Sequence, residues 1–442
     1  MIWSEYIVKE LRNQNIEQYE IYHAQVGTTS IEVKDQQVEC FTSAQSNGVS
    51  LRVLKDNRAG FSYCTECNNE SFDQLIANAV MSAKNTPCDE CNIFPEISKQ
   101  LPDLKVFDES AATVSKAEKI ERAKNLETAA RSYDPKITKI RKAGYQENIS
   151  EISLVNSSGC NLSHRGTFFS SSIVVVAEEN NDSQMGWDFD FSRFYKEIDI
   201  HKIARAASSR AIELLGARSI SSFRGQVILD NSVSCQFLGV LAPSLLSESV
   251  QKNKSLLKGK LNDKIFSDKV DIIDDGLYPG GIATSPFDGE GVSRQSTSLV
   301  HKGVLKKFLY DAYCARKDNT QSTGNSTRGS FKSPPGVGYS NLYIKNGTRP
   351  ADMITSYVEK GVLINEVMGI HTANPISGDF SVGVNGFLIE KGKKTIPVKG
   401  IAIAGNIMTL FNRIVEVGSD LRFFGKIGAP SLMIEEMDIS GN

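Results

Sequence analysis

The chain has 442 residues, 40% of them hydrophobic and 23% charged, with a formal net charge of −2. This is globular composition with room for two or three cored domains, and its near-neutral balance leaves no electrostatic footprint for nucleic acid or an anionic membrane surface. No window approaches ~18 consecutive apolar residues, the opening MIWSEYIVKELRNQN lacks a signal-peptide core, and eight cysteines are too sparse for a disulfide scaffold, so a cytoplasmic protein with reduced thiols is expected.

In chain order, the segment 29–63 reads as strands. Ser30–Val33 and Val49–Leu54 alternate apolar with polar, Lys55–Gly60 is a hairpin turn, and Phe61–Tyr63 returns. Ser71 then caps a predicted helix, with Gln74 completing a capping box and Phe72, Leu75, Ile76, Ala79, Val80 and Ala83 on one face. Ser115 and Glu118 form a second capping box, opening a helix that ends near Asp134-Pro135. Further on, Ile152–Val155, Ser172–Ala177 and Trp187–Phe191 read as strands, with polar turn material from Glu178 to Gly186. Asp199 caps a helix carrying Ile200, Ile203, Ala204, Ala207, Ala211, Leu214 and Leu215. Strand, hairpin, strand and helix thus occur twice, which predicts an α+β N-terminal domain (1–218) built from related units at about 20–105 and 110–218. After Arg224 helix signals thin to one apolar segment around Cys235–Leu246. Short Gly-punctuated strands such as 386–389, 401–404 and 431–434 predict a mainly antiparallel, β-rich domain over 219–442.

Cysteines 64, 67, 88 and 91 form two C-x-x-C pairs close to structural-zinc spacing. The predicted helix between them is about fourteen residues, roughly 20 Å long. It holds Cys64 and Cys67 at one end and Cys88 and Cys91 at the other, so thiols at two helix ends are favoured over a Cys₄ site. The histidines, His23, His164, His201, His301 and His371, have no i, i+4 partner, so no H-E-x-x-H site is written. Glu435 and Glu436 would point to opposite faces of a strand, and acid–base roles for them and for Asp288/Glu290 are unsupported. The unusual stretch is QSTGNSTRGSFKSPPGVGY, 321–339. Loops this long are functional or mobile, and Thr323, Gly324, Asn325 and Arg328 are candidates for holding a peptide backbone or carboxylate.

The segments DGEGVSRQST (288–297), KGVLKKFLYDAYCARK (302–317), TGNSTRG (323–329), SGDFS (377–381), GFLIEKGKKTIPVKGIAIAGN (386–406) and VGSDLRFFGKIGAPSL (417–432), with NGVSLRV (47–53) and NRAGF (57–61), resemble the TldD/TldE family. The TldE member of that family is also called PmbA and is described as a modulator of DNA gyrase. The resemblance implies a two-part α+β fold and a cytosolic two-subunit peptidase acting on unfolded peptides. It also implies, in TldD-type members, an H-E-x-x-x-H helix whose histidines bind zinc, with a further Cys ligand near the C-terminus. Here the corresponding segment, 227–250, has no His and a lone Glu248, and no Cys follows Cys314. The expectation is a PmbA/TldE-type subunit with no catalytic or metal residue and no cofactor of its own. It would bind peptide and complete the chamber of a heterodimer or larger assembly, while a TldD-type partner supplies zinc. A peptide-binding homodimer with a regulatory role, and an autonomous metallopeptidase using other ligands such as the four cysteines, stay open as alternatives; no direct contact with nucleic acid or membrane is expected.

Overall fold

A computed structural model describes residues 2–96 and 100–441. The N-terminal half runs α1 (Ile2–Asn13), β1 (Gln18–Lys34), β2 (Gln37–Lys55), β3 (Arg58–Cys64), α2 (Asn69–Asn85), α3 (Lys116–Arg131), β4 (Ile137–Asn156), β5 (Asn161–Glu179), β6 (Asp182–Ser192) and α4 (Ile200–Glu213). Helix, three-stranded meander and helix therefore occur twice. The copies share one sheet, ordered β3-β2-β1-β4-β5-β6. Its seam is antiparallel, running from Glu20 opposite Asn156 to Val33 opposite Ala143.

The same local devices recur in both copies. Asp56-Asn57 and Asn180-Asn181 lie in the left-handed region and turn β2 into β3 and β5 into β6, as a two-residue hairpin of the I′ type requires. The polar stretch read as a turn over 178–186 is therefore mostly strand. Helix α2 packs so closely on β3 that a Cβ on Gly60 would lie 2.0 Å from the Ala79 carbonyl oxygen; α4 does the same on β6, where a Cβ on Gly186 would lie 2.1 Å from that of Ala207. Asn68, not Ser71, caps α2, accepting from the Ser71 N–H. The Ser115–Glu118 capping box of α3 and the Asp199 cap of α4 form as their sequences predict.

Strand alternation gives the sheet two covered faces. Ile21, Leu51 and Val53 pack with Phe72, Leu75 and Ile76 beneath α1 and α2. Ile137, Ile140, Phe169 and Ile173 pack beneath α3 and α4. Of the intervening residues, Tyr22, Ala24 and Leu154 pack against Phe331 of the C-terminal half.

The C-terminal half starts with β7 (Phe223–Leu229) and α5 (Asn231–Leu241). Strands 360–368, 379–390, 393–406 and 432–440 join β7, and 393–406 also pairs with 432–440, so these five strands close into a ring that leaves few free edges. A second six-stranded sheet includes 272–275, 296–301, 342–344 and 427–429. One large core, including Phe237, Leu238, Phe266, Phe380 and Phe411, fills this half. The chain is α+β, with a largely antiparallel C-terminal half.

Candidate functional site at the face between the two halves

The 321–339 stretch folds inward. The Thr323 hydroxyl donates to Asn325 Oδ1 at 2.7 Å and accepts from the Tyr310 N–H at 2.8 Å. Asn325 Nδ2 donates to Asp274 Oδ2 at 2.6 Å and to the Gly338 carbonyl at 3.2 Å. Gly324 has φ +70°, and a Cβ there would lie 2.5 Å from the Ser293 carbonyl oxygen, so only glycine fits. The side chain of Arg328 is 2% exposed. Its Nε donates to the Gly289 carbonyl at 2.7 Å, and its guanidinium lies 4.4 Å from the ring centroid of Tyr22. The four residues singled out from sequence are thus gathered at one place, with Thr323, Asn325 and Arg328 bonded into the fold.

Around them lies a buried charge network that the sequence did not announce. Asp288 begins a tight turn, not a strand, and its Oδ1 accepts from the N–H groups of Glu290 and Val292. Glu290 pairs with Arg52 at 3.1 Å. Arg52 Nε also reaches Glu20 at 3.1 Å, and Glu20 pairs with Arg328. The chain Glu290–Arg52–Glu20–Arg328 therefore crosses twice between the β1–β2 face and the C-terminal loops. Burial raises the Glu290 carboxyl to about 7 although Arg52 opposes it. Burial also raises Asp274 and Asp288, against the pull of their hydrogen bonds and of Arg294. The signal available in sequence was a charged residue at alternate positions of an apolar strand, as Arg52 between Leu51 and Val53. It is normally read as a solvent face.

Arg193, just past β6, is a second clamp. Its guanidinium donates to the carbonyls of Thr167, Gly281, Ile282 and Thr284 at 2.7–3.1 Å. Among the described residues it has no carboxylate partner, and burial lowers its pKa to about 10. Between these clamps a cleft of about 230 Å³ opens, walled by β1, β4 and β5 on one side and the 282–294 and 326–328 loops on the other.

A second, apolar cleft of about 470 Å³ lies on α5. Ser232, Cys235, Gln236 and Gly239 face Trp187, Phe189, Phe424 and Ile427. The Cys235 thiol lies 3.6 Å from the Arg422 carbonyl and 3.5 Å from that of Ile427, and burial pushes its pKa far above the ordinary thiol value. The paired cysteines lie elsewhere. Cys64 ends β3, whereas the Asp89 N–H, between Cys88 and Cys91, bonds to the Asn57 carbonyl at the other end of that strand. Six residue steps, about 20 Å, separate those ends.

Comparison with known proteins places the whole chain. Sequence models of the PmbA/TldA metallopeptidase match as domain 1 over 19–83, as the central domain over 109–215, and as the C-terminal domain over 222–441. The chain belongs to the PmbA/TldD family. Among its relatives are an uncharacterized protein of Methanocaldococcus jannaschii, 29% identical over 92% of each chain, and the Metalloprotease PmbA of Escherichia coli O157:H7, 27% identical over 94% of this chain and 90% of the relative. A solved structure from Thermotoga maritima, named as a candidate modulator of a DNA gyrase, superposes with a TM-score of 0.92 at 25% identity over 99% of each chain. TldE from Thermococcus kodakarensis has the same fold, with a TM-score of 0.91 at 22% identity over 99% of this chain and all of that one.

A metallopeptidase family implies a catalytic metal, and the donors on α5 do not fit one. A serine, a protonated thiol already turned to carbonyls and a glutamine amide face an aromatic wall, where zinc takes imidazole, thiolate or carboxylate. Among the described residues no three His, Cys, Asp or Glu side chains gather as a metal site. No helix among them is long and apolar enough to cross a membrane.

Proposed function

We propose that this chain is the subunit without a metal in a TldD/TldE-type peptidase, holding extended, unfolded peptide while a TldD-type partner supplies zinc. The observation that carries this reading is the donor-poor face of α5 in a chain that matches the metallopeptidase family along nearly its whole length. Peptide holding has its own support. Strand β3 pairs with β2 only over Val49–Lys55, so the outer edge of β2 from Gln37 to Gly48 has no strand beside it among the described residues. Apart from Phe41, residues 37–47 are exposed. An extended peptide added there would gain main-chain hydrogen bonds without a sequence requirement.

Co-expression with a TldD-type chain should give a stable complex that degrades an unfolded polypeptide in a chelator-sensitive way. Along a strand, successive N–H groups point to opposite sides. Of the neighbouring variants Ser43→Pro and Ala44→Pro, one therefore removes an outward N–H and should weaken peptide capture. Two separate monomers at micromolar concentration, or hydrolysis by the isolated chain, would overturn the proposal. The same open edge favours a second reading, a non-catalytic homodimer that holds peptide along 37–48 of each copy. In that case the isolated chain sediments as a dimer and binds peptide without altering any partner's hydrolysis.

A further inference from the structure

From the cleft between the two halves we infer that this chain carries a binding site for one small oxyanion, a carboxylate or a phosphate. Among the described residues the walls hold four cations, Arg193, Arg294, Arg328 and Lys426, and the carboxylate of Asp288; Arg328 is already paired with Glu20 behind the wall, which leaves three cations to one carboxylate. Among the described residues, two fully buried donors in the wall have no partner, and the Nδ1 of His164 has none either. Arg328 uses Nε on the Gly289 carbonyl and Nη2 on Glu20, but Nη1 has no acceptor. Ser326 is 0% exposed; its N–H holds Asp288 at 2.9 Å, yet its hydroxyl has no partner. Buried polar groups are satisfied in the great majority of cases, and two unsatisfied donors lining one cleft beside surplus positive charge define what is missing as an acceptor with negative charge.

The dimensions narrow the ligand. A space of about 230 Å³ is below the range of drug-sized pockets. It suits a carboxylate with a small side chain, or a phosphate. Lys426 is exposed and stands at the mouth, where it can meet an arriving anion. His164 presents its ring edge-on to Phe287, with centroids 5.3 Å apart. Burial, together with Arg193 and Arg294, holds it below the ordinary histidine pKa and so neutral, which leaves the anion to the guanidiniums, the ammonium and the hydroxyl. The site is separate from the α5 face and from the β2 edge, and it stands whether or not a partner subunit joins the chain.

Isothermal titration of the full chain at low salt tests this with three probes: the dipeptide Ala-Ala as free acid, the same dipeptide as its C-terminal amide, and inorganic phosphate. Binding of the free acid but not the amide identifies a peptide carboxylate as the ligand, whereas binding of phosphate without the dipeptide identifies a phosphate. In either case Ser326→Ala and Lys426→Ala should each weaken binding about tenfold, and added salt should weaken it further. Lys426 is exposed and Ser326→Ala removes one atom, so both variants should keep the unfolding profile of the parent chain. No binding of any probe at millimolar concentration, equal binding of acid and amide, or affinity unchanged in both variants would overturn the inference.

Discussion

Arg328 and Glu20 lie 308 positions apart in the chain and form an ion pair with side chains only 2% and 0% exposed. The pair fastens a C-terminal loop to the second face of the N-terminal sheet. It works as part of a network, because Glu20 also meets Arg52 and Arg52 meets Glu290.

Removing one member leaves its partner charged and buried. Arg328→Met should therefore destabilise the fold by about 3–5 kcal/mol, whereas the double variant Arg328→Met with Glu20→Leu should cost clearly less than the sum of the two single changes. Urea unfolding of the four proteins in a double-mutant cycle measures the coupling. Additive losses would show that the two side chains do not act on each other.

Gly60 and Gly186 make the same prediction twice. At each, a methyl group would meet helix backbone far inside van der Waals contact, at 2.0 Å for Gly60 and 2.1 Å for Gly186. Gly60→Ala and Gly186→Ala should each destabilise by roughly 1–3 kcal/mol as the helix is pushed off its strand. Thermal unfolding checks this. A large loss at one site only would break the equivalence of the two copies.

Stability should depend on pH through Glu290. Its folded carboxyl is raised from 4.5 to about 7 by burial. The folded state therefore holds the proton more tightly than the unfolded chain, and stability falls as pH rises from about 4.5 to about 7 and stays lower above that. The shift corresponds to about 3 kcal/mol across the window. Glu290→Gln cannot titrate, so its stability relative to the parent chain should improve between pH 5 and pH 7.5 in denaturant melts. Identical pH slopes would exclude this residue.

The cysteines give a direct chemical test. Cys40, Cys67 and Cys88 are exposed and should react first with a thiol reagent. Cys160, Cys235 and Cys314 are buried and should react only on unfolding. Burial pushes Cys64 up to about 11, which slows it relative to the exposed thiols. The isolated chain should contain sub-stoichiometric zinc by elemental analysis. Changing the 64, 67, 88 and 91 thiols to serine should shift stability by about 0.5 kcal/mol or less per site.

Local signals in the sequence locate α2, α3 and α4 because each carries its own cap and stripe, as Ser115–Glu118 and Asp199 do, whereas α1 and the short C-terminal helices are not read from it. Asn68 was passed over for Ser71 because both are good caps three residues apart, and only packing chooses between them. The strands of the N-terminal sheet run far longer than their apolar alternation indicates. β2 spans nineteen residues, yet its first ten are almost wholly exposed, so they carry no apolar alternation to read. Arg52 and Glu20 stand where a sheet would face water, and period-two patterning cannot say that a second domain covers that face. The oxyanion cleft was illegible for a different reason. His164, Arg294, Ser326 and Lys426 come from separate segments, and nothing in their local spacing brings them together.

The seam between β1 and β4 has an implication for biogenesis. The end of β1 at Lys34 and the start of β4 at Ile137 are separated by roughly a hundred residues, which a ribosome takes about 5–20 s to add at typical rates. Throughout that interval the nascent first repeat exposes a row of amides awaiting the second, and until then it is a template for any passing strand. Holdase chaperones should therefore engage the emerging polypeptide most strongly before the second repeat arrives, and ribosome-bound truncations ending near residue 130 should aggregate where those ending past 200 do not.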